Sequence, residues 1–372
     1  MLNREKSLSN DIRRSEPTQL LRTLSLSIST VRSDTPAQQI LEPQGDYQPN
    51  GASCPPLLNA GHYPWARRHY LDACASQWSP EQFDLEIDEQ QWGDSKTLTT
   101  DERHLVTRTL GFLHACKTLL MDQHALGVYR HINQPECRQY LLRQAFEDGL
   151  HQHAAQNALG TFPADEQVLP AQDETALRRL QWLEQELRPV SEAEPGTGGI
   201  PQGQHLLRAL IASYVLCHGM FLHLANLQVW SLGRRDKMNG VAGLLCRIEH
   251  DEKRQIAFGI DLIKQIGSEN PDLWTPGFKS ELLQLVHEGV ALETRSIYEN
   301  LPRGMLGLNA PMLEEYLQFI ANRYCTRVGL PSLYPEASNP FPWVDALLIS
   351  HETRAETAAS ARAGGCDLDW SH

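Results

Sequence analysis

Two carboxylates stand three residues ahead of a nitrogen-bearing side chain in runs that suit a helix. Asp148 precedes His151 in RQAFEDGLHQH (143–153), and Glu252 precedes Gln255 in RIEHDEKRQIAF (247–258). Three residues is almost one turn, so each pair projects from a single helix face. Two such pairs on neighbouring helices are the skeleton of a carboxylate-bridged two-metal site in a helix bundle. There, Glu-x-x-His motifs on two helices are joined by a carboxylate from each of two more. Here the second pair ends in an amide, so the skeleton is present and its donor set is not.

Such pairs need long helices to hold them, and the sequence supplies four. Thr99-Thr100-Asp101-Glu102 is a helix start signal, a hydroxyl or Asp cap with acids in the first turn, and predicts a helix running to about 128. Three more are expected over 136–159, 205–232 and 237–266, with shorter helices at 66–77, 177–187, 278–300 and 311–328. Prolines and a glycine cluster make 161–204 loop-rich around the 177–187 segment. Residues 1–55, rich in Ser, Thr, Gln and Pro without sustained periodicity, read as a mobile arm. Residues 346–372 read as a flexible tail. Strand-like alternation is nearly absent, so 56–345 is expected to be an all-α helix bundle.

Each of the four long helices carries polar residues at interior-looking positions: Lys117, then Asp148 and His151, then His218, then Glu252 and Gln255. One buried polar residue commonly finds an ordinary hydrogen-bond partner in a core. Four helices agreeing on one level is the pattern of a site.

Composition narrows the classes. The 372 residues are 41% hydrophobic, enough for a substantial core, and the formal net charge of -13 argues against a nucleic-acid groove and against anionic membranes. The eight cysteines are scattered singly with no Cys-x-x-Cys, which suits reduced thiols and a cytoplasmic protein. The N-terminus is charged and hydroxyl-rich without an apolar core, so no signal peptide is expected. The apolar run 209–230 contains His218, His223, Asn226 and Gln228, which would be costly in lipid; it reads as a buried core helix.

With these residues in hand, the sequence resembles the small, or beta, subunit of class I ribonucleotide reductase, a ferritin-like helical protein. The resemblance is carried by YPW at 63–65, QWSPEQ at 77–82, RQAFEDGLHQH, KMNG at 237–240, HDEKRQIAFG at 250–259, LPRGMLGLNA at 301–310 and NPFPW at 339–343, in family order. The tail GGCDLDW at 364–370 is similar to the end of family members that finish in a Trp-containing segment.

The resemblance implies six ligands around two metal ions: an acid, a Glu-x-x-His, a lone Glu and a second Glu-x-x-His. Carried over by motif, the first acid falls on Lys117, Asp148 and His151 keep the first pair, the lone Glu becomes His218, Glu252 survives, and the last His becomes Gln255. An ammonium is all donor and cannot ligate a cation, and an imidazole supplies one neutral nitrogen where a carboxylate bridges. A two-metal centre is therefore not expected. Either Asp148, His151, His218 and Glu252 surround one iron or manganese ion with Lys117 in place of the second, or no metal binds and Lys117 pairs with Asp148 or Glu252.

The radical apparatus differs too. The family's radical Tyr, or the Phe that replaces it, falls on Ala155, and the segment around Ala358 where a transfer Tyr is implied contains none. Trp78, Asp251 and His151 match the inner part of the family's radical-transfer path; they are either remnants of that path or residues kept for packing and hydrogen bonding. The resemblance further implies an alpha-subunit partner docked through Leu368 and Trp370, and a homodimer. The function it implies is reduction of ribonucleotides to deoxyribonucleotides. Two other readings stay open: a non-catalytic regulatory paralogue of the beta subunit, and a ferritin-like oxidase acting on another small substrate.

Overall fold

The computed structural model describes residues 63–162, 173–194 and 199–351. Among these the protein is helical, and the only β feature is an isolated bridge between Met305 and Leu308. The helices are α1 (Pro64–Ala75), α2 (Glu86–Gly93), α3 (Thr100–Leu119), α4 (Leu126–His131), α5 (Pro135–Thr161), α6 (Glu174–Ser191), α7 (Gly199–Leu210), α8 (His223–Gly233), α9 (Asn239–Glu269), α10 (Pro276–Asn300) and α11 (Ala310–Arg327). A last helix spans 342–351, crossing the boundary expected between bundle and tail.

Four long rods form the heart of the bundle. α3 packs along α5 and α8 along α9, while α5 meets α9 and α3 meets α8. The start of α3 follows the expected logic: Thr99 Oγ1 accepts from Glu102 N at 3.2 Å, and Glu102 Oε2 accepts from Thr99 N at 2.9 Å. This reciprocal cap satisfies two otherwise unpaired amides.

The rods are not uniform α-helices. α3 passes into α4 through a π-helical turn, Leu120–Ala125, and α7 passes into α8 through a π-helical stretch, Ile211–Leu222. Neither break is visible in hydrophobic periodicity, and both fall beside the polar level of the bundle. Widened turns of this kind are often found at functional sites. Downstream of the second, His223 Nδ1 meets Glu249 Oε1 at 2.6 Å and Nε2 meets the Tyr316 hydroxyl at 3.0 Å. The whole apolar rod from Gly199 to Gly233 is long and apolar enough to cross a membrane, but its most apolar window is entirely buried within the bundle.

The start of α9 is built from α2, a helix that the periodicity does not predict. Asp88 accepts the amides of Gly240 at 3.1 Å and Val241 at 2.7 Å, and Gln91 Oε1 accepts Met238 N at 2.7 Å. These bonds hold Met238 in the left-handed region at φ 54°. Gly240 is required there by close approach, since a Cβ would lie 2.5 Å from the Asp84 carbonyl oxygen. α9, which carries Asp251 and Glu252, is thereby fixed in register.

Candidate functional site

Lys117 leaves the last turn of α3 and is fully buried. Its Nζ lies 2.7 Å from Asp148 Oδ1 on α5 and contacts Glu252 Oε1 on α9. Glu252 Oε2 in turn receives His218 Nδ1 from the π-helical stretch, and His151 Nδ1 stands 3.4 Å from Glu252 Oε1. The structure thus brings Lys117, Asp148, His151, His218 and Glu252 into one buried cluster, each from the helix the spacing assigned to it. Gln255 takes a different direction: its Nε2 donates to Glu147 Oε2 at 3.2 Å.

Charge explains the arrangement. Burial opposes the ammonium of Lys117, but the facing carboxylates of Asp148 and Glu252 outweigh it and hold the pKa above the ordinary lysine value. Burial would likewise raise Glu252, yet Lys117 and then His218 hold it well below the usual carboxylate range. The pair is therefore ionic in the core, and Lys117 does the neutralising that a cation would do beside these acids.

A second line of bonds leads outward. His151 Nε2 lies 3.1 Å from Asp251 Oδ2, and the same oxygen accepts from Trp78 Nε1 at 2.7 Å. Trp78 stacks on His151 with centroids 6.1 Å apart, and the Arg247 guanidinium lies 5.5 Å from the Trp78 ring centre. Burial alone would raise the Asp251 carboxyl. His151, Arg247 and Arg254 outweigh it and hold the group well below its usual range. Burial also opposes charge on His151, but its bonds to Asp251 and Glu252 hold it above the ordinary histidine value.

Several neighbours carry no clear signal in the sequence. Tyr214 stacks on His218 at 5.8 Å and donates to Gln144 Oε1 at 2.7 Å. Its ring lies against α9 because residue 259 is glycine: a Cβ there would fall 2.1 Å from the ring. His124, from the first π-helical turn, meets the edge of Tyr214 at 4.7 Å, and burial first, then its neighbours His218 and Lys117, push it well below the ordinary histidine value. The one hint of Tyr214 is its place four residues before His218. Ala155 is buried on α5 and offers only a methyl group.

The donor set decides what metal the site fits. Two ions do not fit, because the ammonium of Lys117 occupies the space between Asp148 and Glu252 and repels a second cation. Three side chains suit one ion: ligand atoms of Asp148, His151 and Glu252 all lie within 4.8 Å of one another. Asp148 Oδ2 is buried without a hydrogen-bond partner, and His151 Nδ1 has only the 3.4 Å contact with Glu252 Oε1, as metal donors awaiting an ion would be. His218 is bonded to Glu252 and stands outside that trio. Leu368 and Trp370 lie outside the described residues.

Comparison with known proteins gives the family and the fold. Residues 57–340 match the model of the family described as ribonucleotide reductase, small chain. The sequence is 35% identical over 316 residues to the ribonucleoside-diphosphate reductase subunit beta of Chlamydia pneumoniae, a match that covers 83% of the present protein and 90% of that one. It is 25% identical over 331 residues to a ribonucleoside-diphosphate reductase small chain of Arabidopsis thaliana, covering 84% and 89% of the two. The fold is similar to that of the ribonucleotide reductase R2 subunit of Clostridium botulinum, with TM-score 0.70 and 24% identity, covering 77% and 88% of the two. Matched by the family model over residues 57–340 and by a 35% identical relative along most of both lengths, this helix bundle belongs to the ribonucleotide reductase small-chain family.

Proposed function

We propose that this protein is a beta-type subunit that binds a ribonucleotide reductase alpha subunit and supports nucleotide reduction from a site organised around Lys117. The observation that carries this reading is the line of contacts from Trp78 through Asp251 and His151, hydrogen-bonded to that point and closed by charge contacts, to Glu252 and Lys117. Packing alone does not call for an ionised carboxylate held between an indole N–H, an imidazole and two guanidinium groups.

In this reading each residue has a definite task. Lys117 fixes the Asp148 and Glu252 carboxylates in one orientation. Asp251 holds the Trp78 Nε1 proton on one side and the His151 Nε2 proton on the other. A single iron or manganese ion held by Asp148, His151 and Glu252 would supply one-electron redox chemistry. The surrounding core excludes water from all of these groups.

The test is reduction of a ribonucleoside diphosphate by the purified protein with its cognate alpha subunit, prepared metal-free and after loading with iron or manganese. Turnover that depends on both subunits supports the reading. Ala155, where the resemblance implies Tyr or Phe, favours a second one, a regulatory paralogue that occupies the alpha subunit without turnover. A stable complex that reduces no nucleotide in any preparation, and inhibits an active beta subunit, would establish that alternative.

A further inference from the structure

Two thiols flank the substituted ligand positions. Cys116 precedes Lys117 on α3 and Cys217 precedes His218 on the π-helical stretch, and their Sγ atoms are 3.0 Å apart with both residues fully buried. A disulfide bond is about 2.05 Å long, so roughly 1 Å of side-chain adjustment separates contact from bond. The two residues are 101 apart in sequence, and nothing in the scattered cysteine spacing pairs them. The proposed activity uses neither sulfur.

We propose that Cys116 and Cys217 form a reversible disulfide, driven by a small peroxide, that staples α3 to the π-helical stretch beside Lys117 and His218. The chemistry balances in two steps. One thiol attacks hydrogen peroxide to give a sulfenic acid and one water; the second thiol then displaces hydroxide from that sulfur, forming the S–S bond and a second water. Two thiols are oxidised by two electrons in all, and peroxide is reduced. A dithiol returns both sulfurs to thiols by exchange.

Burial sets the character of the device. Two sealed sulfurs are closed to bulky alkylating agents and to glutathione-sized disulfides, whereas a neutral molecule as small as peroxide can enter a breathing core. Burial slows the first step. Contact between the sulfurs makes the second step intramolecular, so the sulfenic acid is captured before further oxidation. The staple would fix the backbone positions from which Lys117 and His218 reach Glu252.

The experiment uses the full folded protein, freed of reductant and exposed to hydrogen peroxide, then quenched, denatured, alkylated and digested for mass spectrometry. The expected result is a crosslinked Cys116–Cys217 peptide, loss of alkylation at both of these cysteines, recovery of both when dithiothreitol is added to the denatured protein before alkylation, and a Tm higher by roughly 5 °C in the oxidised form. Cys116→Ser, or Cys116→Ala if the serine variant does not fold, should abolish the crosslink and leave a trappable sulfenic acid on Cys217. The proposal is overturned if Cys116 and Cys217 are both alkylated as free thiols after exposure that has oxidised the exposed Cys74. It is equally overturned if the crosslink arises only when peroxide is added after denaturation.

Discussion

The Lys117 ammonium nitrogen lies 2.7 Å from Asp148 Oδ1 across the α3–α5 interface, with neither side chain exposed to solvent. Because the same nitrogen contacts Glu252, one charge ties three helices at one point. Ions in a core repay their desolvation only when their partners are complete. This cation has two anionic partners, and removing it strands both.

Lys117→Met should therefore destabilise the protein by about 3–5 kcal/mol, measured by denaturant unfolding near neutral pH. The sign of the pH dependence follows from the directions of the shifts. Glu252 is held below its ordinary value, so its contribution in the native protein is present above the usual carboxylate pKa and fades on acidification. In the variant the stranded carboxylates can take up protons, so the gap between the two proteins should narrow as pH falls toward about 5. A gap of constant size down to that pH would mean that Lys117 is not ion-paired.

Metal content should be at most one ion per subunit. Reconstitution with iron and with manganese, followed by elemental analysis, checks this against the Asp148–His151–Glu252 trio. Lys117→Asp should not by itself produce full two-ion loading, since His218 and Gln255 still differ from the implied ligand set. Two tightly held ions in the unaltered protein would overturn the account of Lys117.

Trp78→Phe keeps the aromatic ring and removes the Nε1 donor to Asp251. Loss of a hydrogen bond to a charged group should cost about 1.5–3 kcal/mol of stability. If the line from Trp78 inward serves turnover, activity with the alpha subunit should fall by orders of magnitude while complex formation and metal content stay unchanged. Retained activity would reduce Trp78 to a packing residue.

Electron paramagnetic resonance after exposure to oxygen and reductant should show no tyrosyl signal from the position four residues after His151, because Ala155 has no phenol. Tyr214 is the nearby control, since it stacks on His218. A tyrosyl signal removed by Tyr214→Phe would show that the oxidisable ring has moved from one helix to another.

Deleting 364–372 should abolish association with the alpha subunit and leave the bundle folded, with Trp370→Ala producing most of the loss and Leu368 contributing a second anchor. Small polar residues around a few large apolar ones suit a segment that orders on docking, where an aromatic anchor dominates affinity. A pull-down with the truncated protein is the check, and undiminished binding would remove the tail as the docking element.

The parts of this molecule that were legible in its sequence are those governed by local spacing. Asp148 and His151 share a face because they are three residues apart, and the Thr99–Glu102 cap announces α3 by the same short-range logic. What stayed hidden depends on contacts between distant residues or on backbone detail. Gln255 shares a helix and a spacing with Glu252, yet Glu147 draws it away from the cluster. α2 is too short to show a clear apolar stripe, and its use as a clamp for Gly240 and Val241 exists only in three dimensions. The π-helical stretches escaped because a widened turn leaves an all-apolar run looking the same.

Such a widened stretch also governs how the protein tolerates insertion and deletion. A residue dropped from Ile211–Leu222 would let the rod close into ordinary α-helix with little change in length. It would also change the angle between everything after it and everything before, because a widened turn rotates the rod by less per residue than an α turn does. His223 would then leave Glu249 and Tyr316, and Asn226 would leave its place on Glu249 Oε2. The stretch is thus a phase setting between two halves of one helix, and the loss of one codon there would act as a rotation of the core, not as a shortening.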